Sequence, residues 1–330
     1  MATTAVKRKT SPRKRTEARK QNSSDAPWML RRARGLRILQ ARAFAQLDWV
    51  VHGFSTRPGG VSKLKTLRDG RENIERVLNL GFTDWDKRER VIENRAKFFA
   101  AISAPKMRVV ALRQIHSDIV HRVDAAEWTA TENRSREDAP QGDALFTRER
   151  GVMLVVQTAD CIPILLADVK RHAVAAIHAG WRGTLRRIAE KTLGHMKMEF
   201  GTRPQDVIAA LGSGIGQSCY EVGEDVAKEF QAQFANARDW FEGPFDALAS
   251  GENDPNWLPW LTMRPPGHQP PPPRARLDLI AANRAILAGA GIAPGNIFSS
   301  RLCTACRSDL LFSYRREKTT GRMMAAIGIR

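Results

Sequence analysis

The sequence predicts a chain of mixed α and β structure, and three observations carry that expectation. Four runs rich in Val and Ile have turn residues beside them, two stretches place apolar residues at helical spacing, and no internal repeat is present. The runs are MRVVAL at 107–112, GVMLVVQT at 151–158, RHAVAAIHA at 171–179 and DVIAALG at 206–212, and each reads as a buried strand. The stretch from Thr184 to Phe200 brings Leu185, Ile188, Ala189, Leu193, Met196 and Phe200 to one side, which predicts an amphipathic helix ended by Gly201. A second helix is expected from Asp278, a good N-cap, through Ile280, Ala281, Ala285, Ile286 and Leu287 to the region of Gly289 and Gly291.

The remaining segments are read by their turn residues. RPGG at 57–60 predicts a tight turn. GSGIG at 212–216 follows a strand but leads into QSCYEVG without an immediate helix, so it lacks the context of a dinucleotide fingerprint. Close backbone packing is the expectation there, and NAD or ATP binding is not expected. The tract from Pro265 to Pro273 cannot be helix or central strand and reads as a stiff, extended surface connector.

Composition narrows the class of protein. A chain of 330 residues with 42% hydrophobic content can build a substantial core. No stretch approaches 18 uninterrupted apolar residues, and the N-terminal residues lack the apolar segment of a signal peptide. A cytoplasmic protein without a membrane span is expected. The four cysteines, at 161, 219, 303 and 306, are too few for a disulfide framework and suit a reducing compartment. Cys303 and Cys306 form one C-x-x-C pair; a zinc ribbon needs a second pair, so the pair is given a structural role, with redox or metal chemistry as the alternative.

The net charge of +18 is concentrated at one end. Residues 1–20 carry eight Lys or Arg against one Glu, and residues 21–43 carry five Arg against one Asp, so most of the excess lies in this arm. Residues 1–25 have almost nothing apolar to bury and are expected to be disordered. Such an arm can contact nucleic acid or anionic lipid non-specifically, but it has no aromatic residue for base stacking before Trp28. The expected organisation is a basic arm over residues 1–45 and a single catalytic domain over 46–330, with a surface insertion at about 239–276.

Chemistry concentrates in three words: His116 in RQIHSDIV, Cys161 in TADCIPILLAD and His178 in AAIHAGWRG. Two imidazoles and a thiolate suit zinc or copper, and three ligands without a fourth leave one position open, as in a catalytic site. The ligands lie 45 and 17 residues apart, so a folded sheet and not a local turn must assemble them. Buried core residues are the alternative for a lone Cys and lone His. Arg182, Arg186 and Arg187 follow His178 closely and would either form an anion site at the start of the expected helix or simply point into solvent.

HGFSTRPGGVS, RQIHSDIV, GDALFT, QTADCIPILLAD, HAGWRGTLRRIAEKTL, GSGIGQSCYEVG and CTAC followed by LFSYRREKTTGRMMAAIGI occur in this order. From His52 to Ile329 the chain resembles the YfiH-like family, often labelled laccase domain or polyphenol oxidase. The resemblance implies an α+β fold of mixed sheets packed face to face with helices outside, similar to a cysteine-dependent bacterial toxin deamidase. It also implies a metal-binding purine nucleoside enzyme that phosphorolyses adenosine, inosine, guanosine and methylthioadenosine and deaminates adenosine. By the same resemblance His116, Cys161 and His178 are the metal ligands, with zinc as the expected ion and copper as the alternative. The segment GGVSKLKTLRDGRENIERVLNLG is longer and more charged than the loop of relatives, though Asn79, Leu80 and Gly81 match.

For catalysis Cys161, His178 and Asp143 are the candidates, Asp143 or Asp160 serving as acid or as partner of a ligating histidine. Arg57, Gln114, Arg182, Tyr314, Arg315 and Arg316 are candidates for gripping base, ribose or phosphate. A multicopper laccase needs roughly ten histidines, whereas this chain has seven. Single-copper phenol oxidation remains an alternative. A metal-free hydrolase or deamidase with Cys161 as nucleophile and His178 as base is another, and a nucleic-acid-binding protein acting through its arm is the third.

Overall fold

The computed structural model describes residues 26–68, 71–124, 139–243 and 274–330. Its first strands are β1 (Trp28–Ala33), β2 (Leu36–Ala41), β3 (Val50–Ser55), β4 (Pro58–Arg68), β5 (Arg71–Val77), β6 (Arg108–Ala111) and β7 (Val120–Arg122). They are followed by β8 (Ala144–Thr147), β9 (Val152–Thr158), β10 (Ile162–Asp168), β11 (Ala173–Ala179), β12 (Val207–Leu211), β13 (Glu221–Val222), β14 (Phe241–Glu242), β15 (Ala275–Leu277), β16 (Ile297–Ser299) and β17 (Met323–Ile329). The helices are α1 (Arg42–Ala45), α2 (Arg88–Ala101), α3 (Trp181–Leu185), α4 (Ile188–Phe200), α5 (Glu224–Gln233), α6 (Leu279–Gly289) and α7 (Tyr314–Glu317).

Two six-stranded mixed sheets form the centre, ordered β1-β2-β3-β17-β9-β6 and β16-β12-β10-β11-β8-β7. Successive residues of a strand point to opposite faces, and here both faces are covered. Leu165 and Ala167 of β10 join Leu154 and Val156 of β9 and Ile327 of β17 in the layer between the sheets. Ile164 and Leu166 of the same strand face α4, α5 and α6, with Met196, Phe230 and Ile286. On the far side of the first sheet, Val155 and Ala326 pack against Phe98 and Phe99 of α2. The result is four layers, helix on sheet on sheet on helices.

This burial on both faces explains why the strand words are continuous apolar runs and not alternating ones. Ile164 and Leu165 are both fully buried, and each contributes roughly 1.5–3 kcal/mol through the apolar surface removed from water. The expected strands at 107–112, 151–158, 171–179 and 206–212 are present as β6, β9, β11 and β12. The helix begun by Asp278 is α6, whose N-cap side chain accepts from the Ala281 amide at 2.8 Å.

Several expectations are corrected. The helix expected over 184–200 is two helices, α3 and α4, separated at Arg187, which has a left-handed backbone with φ 61°. Because Leu185, Ile188 and Ala189 all pack inward on either side of the break, the apolar spacing does not reveal it. Gly201, with φ 67°, closes α4 as expected.

RPGG does not form a free turn but opens the bulged strand β4, with a register shift between Pro58 and Ser62. A side chain at Gly60 would lie 2.2 Å from the Val77 carbonyl oxygen, so this close approach requires glycine. The charged segment after it pairs as the β4 and β5 hairpin. Ordered structure also begins before residue 46: β1, β2 and α1 lie within the expected arm, and β2 pairs with β3. The insertion leaves after β14 and returns into β15, which pairs with it antiparallel. The proline tract and residues 1–25 lie outside the described residues. Among the described residues no helix is long and apolar enough to cross a membrane.

Candidate metal centre and active site

The 17-residue separation of Cys161 and His178 is the length of a β-hairpin. Cys161 immediately precedes β10, His178 is near the end of β11, and the two strands pair antiparallel with Pro163 opposite His178. Both side chains therefore emerge at the same end of the sheet. His116 arrives on the connection between β6 and β7, with a left-handed φ of 59°. Its Nε2 lies 3.9 Å from Cys161 Sγ, and the donor atoms of all three residues lie within 4.8 Å of one another. His116 and His178 meet edge to face, with ring centroids 4.9 Å apart.

Asp143 anchors this geometry. It precedes β8, which pairs with β11, and its backbone carbonyl accepts from the His178 amide at 2.7 Å. Its carboxylate accepts from the amides of Ile115, His116 and Ser117, from the Ser117 hydroxyl at 2.7 Å, and from His178 Nδ1 at 2.8 Å. Burial opposes its ionisation, but the bonds from His178 and Ser117 outweigh that effect and bring its pKa down to about 2. With Nδ1 held by Asp143, His178 presents Nε2 to the centre, the arrangement that orients a metal-ligating histidine.

These residues fit a metal ion by donor chemistry and by space. The set is two imidazoles and one thiol, with a carboxylate behind one imidazole. Gly180 clears the room: a Cβ there would sit 2.9 Å from Cys161 Sγ and 3.1 Å from His116 Cδ2. Without a metal the same groups form a charged pair. Burial raises the Cys161 pKa, yet the charge of His178 and the bonds to both histidines prevail and lower it to about 6. Burial likewise disfavours the His178 cation, but the Cys161 thiolate and Asp143 raise its pKa to about 9.

Other predicted site residues divide into those beside the centre and those committed elsewhere. Arg315 donates its amide to Asp160 Oδ2 at 2.6 Å, and its guanidinium lies over the Tyr220 ring at 5.2 Å. Arg182 stacks on Trp181 at 4.3 Å. Arg316 reaches the Ala305 carbonyl at 2.8 Å, and Tyr314 is half exposed at the start of α7. Arg57 is buried, with its guanidinium held by Glu75 at 2.7 Å and by Glu317. Gln114 pairs with the Gln157 backbone through two bonds of 2.7 and 2.8 Å, in the manner of an extra strand residue. Of the three arginines expected to form an anion site, Arg187 pairs with Glu190 and Arg186 faces Asp118 at 3.9 Å.

Sequence reasoning passed over Tyr220 and the full role of Asp160. Tyr220 is nearly buried, and burial together with the Cys161 and Asp160 charges pushes its phenol up, beyond its ordinary range. It stays neutral around neutral pH despite Arg315 and Arg182 nearby. Its only signal was its place in the GQSCYEVG word. Asp160, with φ 101°, accepts from the Thr304 hydroxyl at 2.6 Å as well as from Arg315, and so ties the C-terminal words to the residue beside Cys161. Among the described residues a second cluster brings Cys219, Cys303 and Cys306 within the same 4.8 Å range.

An α+β fold of two packed mixed sheets, with His, Cys and His converging at one sheet end, defines the class of protein. The chain belongs to the family described as "Multi-copper polyphenol oxidoreductase laccase", whose profile matches residues 51–330, and is YfiH-like within it. A protein of Deinococcus radiodurans named "Purine nucleoside phosphorylase" is 37% identical over 299 residues, covering 90% of this chain and 94% of its own length. "Adenosine deaminase RL5", from an unknown prokaryotic organism, is 34% identical over 279 residues, covering 84% and 93%. The crystal structure of the Bacillus licheniformis hypothetical protein YfiH superposes with a TM-score of 0.71 at 28% identity, covering 93% of this chain and 98% of that one.

Proposed function

We propose that this protein is a metal-dependent purine nucleoside enzyme that phosphorolyses purine nucleosides, including adenosine, inosine, guanosine and methylthioadenosine, and deaminates adenosine. The observation that carries the proposal is the convergence of His116, Cys161 and His178, with Asp143 fixing the second nitrogen of His178. The names of the relatives from D. radiodurans and the unknown prokaryote supply the two activities. Zinc is the proposed ion, with copper as the competitor. When bound, it supplies Lewis acidity that favours deprotonation of water at neutral pH and attack on an electrophilic ring carbon.

The roles of the side chains follow from their environments. Asp143, with its pKa brought down to about 2 and its oxygens occupied by five donors, is a positioning residue and not the general acid. Tyr220 keeps its proton and is the neutral hydroxyl offered to the departing purine. Arg182, Arg315, Arg316 and Tyr314 are the substrate-gripping set: Arg182 stacks on Trp181 and the Arg315 and Arg316 guanidinium groups reach backbone carbonyls, whereas Arg57 is held between two carboxylates. Arg57 and Gln114 are assigned to scaffolding. The substrates are nucleosides and phosphate, and the proposed location is the cytoplasm.

A second reading rests on the Cys161 and His178 pair itself. A thiol lowered to about 6 beside an imidazole raised to about 9 is the thiolate and imidazolium pair of a cysteine nucleophile. Metal chelation separates the two. In the metal enzyme, chelation abolishes adenosine turnover and zinc restores it; in the metal-free hydrolase, chelation leaves activity intact and thiol alkylation removes it.

A further inference from the structure

We infer that Cys219, Cys303 and Cys306 form a second site, a three-thiolate site for a thiophilic d10 metal ion, distinct from the His-Cys-His centre. The geometry of the cluster and the spacing of its cysteines support it. The three sulfurs lie within 4.8 Å of one another, and Cys219 Sγ is 3.4 Å from Cys306 Sγ. Sulfurs sharing a tetrahedral ion at about 2.3 Å stand about 3.8 Å apart, so little movement is needed. Cys303 and Cys306 also have the C-x-x-C spacing by which one short turn supplies two ligands.

The backbone builds the cluster. Parallel pairing of β12 with β16 continues past both strands as a bridge between Gly214 and Cys303, with the Thr304 amide donating to the Gly214 carbonyl at 2.9 Å. The Arg307 amide bonds the Cys303 carbonyl at 3.0 Å and closes the turn that returns Cys306. A one-turn 3-10 helix, Gln217–Cys219, brings the third sulfur from the other side. Gly216 donates its amide to Cys303 Sγ at 3.1 Å, a bond that stabilises a thiolate. A Cβ at Gly216 would lie 3.1 Å from Cys303 Cβ and 3.3 Å from its sulfur, so a side chain there would press on Cys303.

The fourth position is open. The chain has one other cysteine, Cys161, and among the described residues no His, Asp or Glu joins this group. Three soft thiolates select zinc or copper(I) over hard cations. The cluster is half-buried to exposed, so an ion reaches it from solvent. Its ion would also steady the catalytic side, because Thr304, between the two cysteines of the pair, donates to Asp160 beside Cys161.

The test is metal counting on the full-length protein. Wild type, stripped with a chelator under reducing conditions, is reloaded with zinc, or with copper(I) in a parallel sample, and passed through gel filtration before elemental analysis. Two equivalents are expected in wild type. One is expected in Cys219→Ser, in Cys306→Ser and in His116→Ala, and none in His116→Ala combined with Cys306→Ser. Cobalt loading gives a second readout: a sulfur-to-cobalt absorption band should persist in Cys161→Ala and vanish when Cys306→Ser is added. Unchanged stoichiometry in both cysteine variants, a single wild-type equivalent that disappears with His116→Ala, or a Cys219 to Cys306 disulfide that resists loading would each overturn the site. A single equivalent that survives His116→Ala would instead support this site and contradict the proposed catalytic centre.

Discussion

Asp143 Oδ1 and His178 Nδ1 meet at 2.8 Å, and the same carboxylate holds the backbone amide of His116 at 3.1 Å. One buried group thus orients two of the three donors, one through its ring and one through its chain. Replacing it by Asn keeps the size but removes the charge and half of the acceptor capacity. Asp143→Asn is expected to weaken zinc binding by roughly 10- to 100-fold, as loss of a partner behind a ligating histidine does elsewhere. Competition against a chromophoric chelator measures this. Affinity equal to wild type would remove Asp143 from its positioning role.

Gly180 tests the space around the centre. A methyl group 2.9 Å from Cys161 Sγ must displace the sulfur or the His116 ring. Gly180→Ala is therefore expected to lose metal and to cost about 1–3 kcal/mol of stability, the usual range for overpacking. Full metal occupancy in this variant, read by elemental analysis beside a thermal melt, would show that the site is looser than its geometry indicates.

Removing the metal should leave Cys161 reactive. Its thiol, lowered to about 6, is thiolate above that pH and becomes thiol below it. Iodoacetamide labelling of Cys161 in the metal-free protein should hold steady above pH 7 and fall by about tenfold per unit well below pH 6. Zinc should protect it. Mass spectrometry of the labelled peptide reads both effects, and labelling that begins only near pH 9 would contradict the assigned charge pair.

His52 is expected to give the fold a pH dependence of its own. It is buried, accepts from the Ala41 amide at 3.0 Å, and desolvation lowers its pKa from 6.5 to about 4. Between those values the unfolded chain binds a proton that the folded chain refuses. Stability from this group is complete above pH 6.5 and is lost as pH falls through 4, by roughly 3 kcal/mol in total. Urea unfolding of wild type and His52→Gln across pH 4 to 7 isolates the contribution. Parallel pH profiles for the two proteins would contradict it.

Arg57 separates scaffold from substrate contact. Its guanidinium is 2% exposed between Glu75 and Glu317, and breaking a buried pair typically costs about 3–5 kcal/mol. Arg57→Ala should lower the melting temperature while the folded enzyme keeps its nucleoside KM. A raised KM at unchanged stability would return Arg57 to the substrate set.

Much of the fold was legible because its signal is local. Doubly buried strands must be apolar throughout, so β9, β11 and β12 announced themselves, and Asp278 marked the start of α6. The spacing of Cys161 and His178 became meaningful once β10 and β11 paired. What stayed hidden depends on contacts between distant segments or on backbone conformation. The break at Arg187 keeps the apolar face intact, so periodicity cannot detect it. Arg57 looked like a phosphate grip because its carboxylates lie 18 and 260 residues away. Cys219 stands 87 residues from Cys306, and only the loop after β12 brings them together.

The most direct test of the central claim is to purify the protein, quantify zinc and copper per chain, and follow adenosine by chromatography with and without phosphate. The account predicts bound metal, adenine formed only with phosphate, inosine formed in the metal-loaded sample, and loss of both products in Cys161→Ala. Turnover that persists after the metal is stripped, or no conversion of any purine nucleoside by the loaded protein, would contradict it.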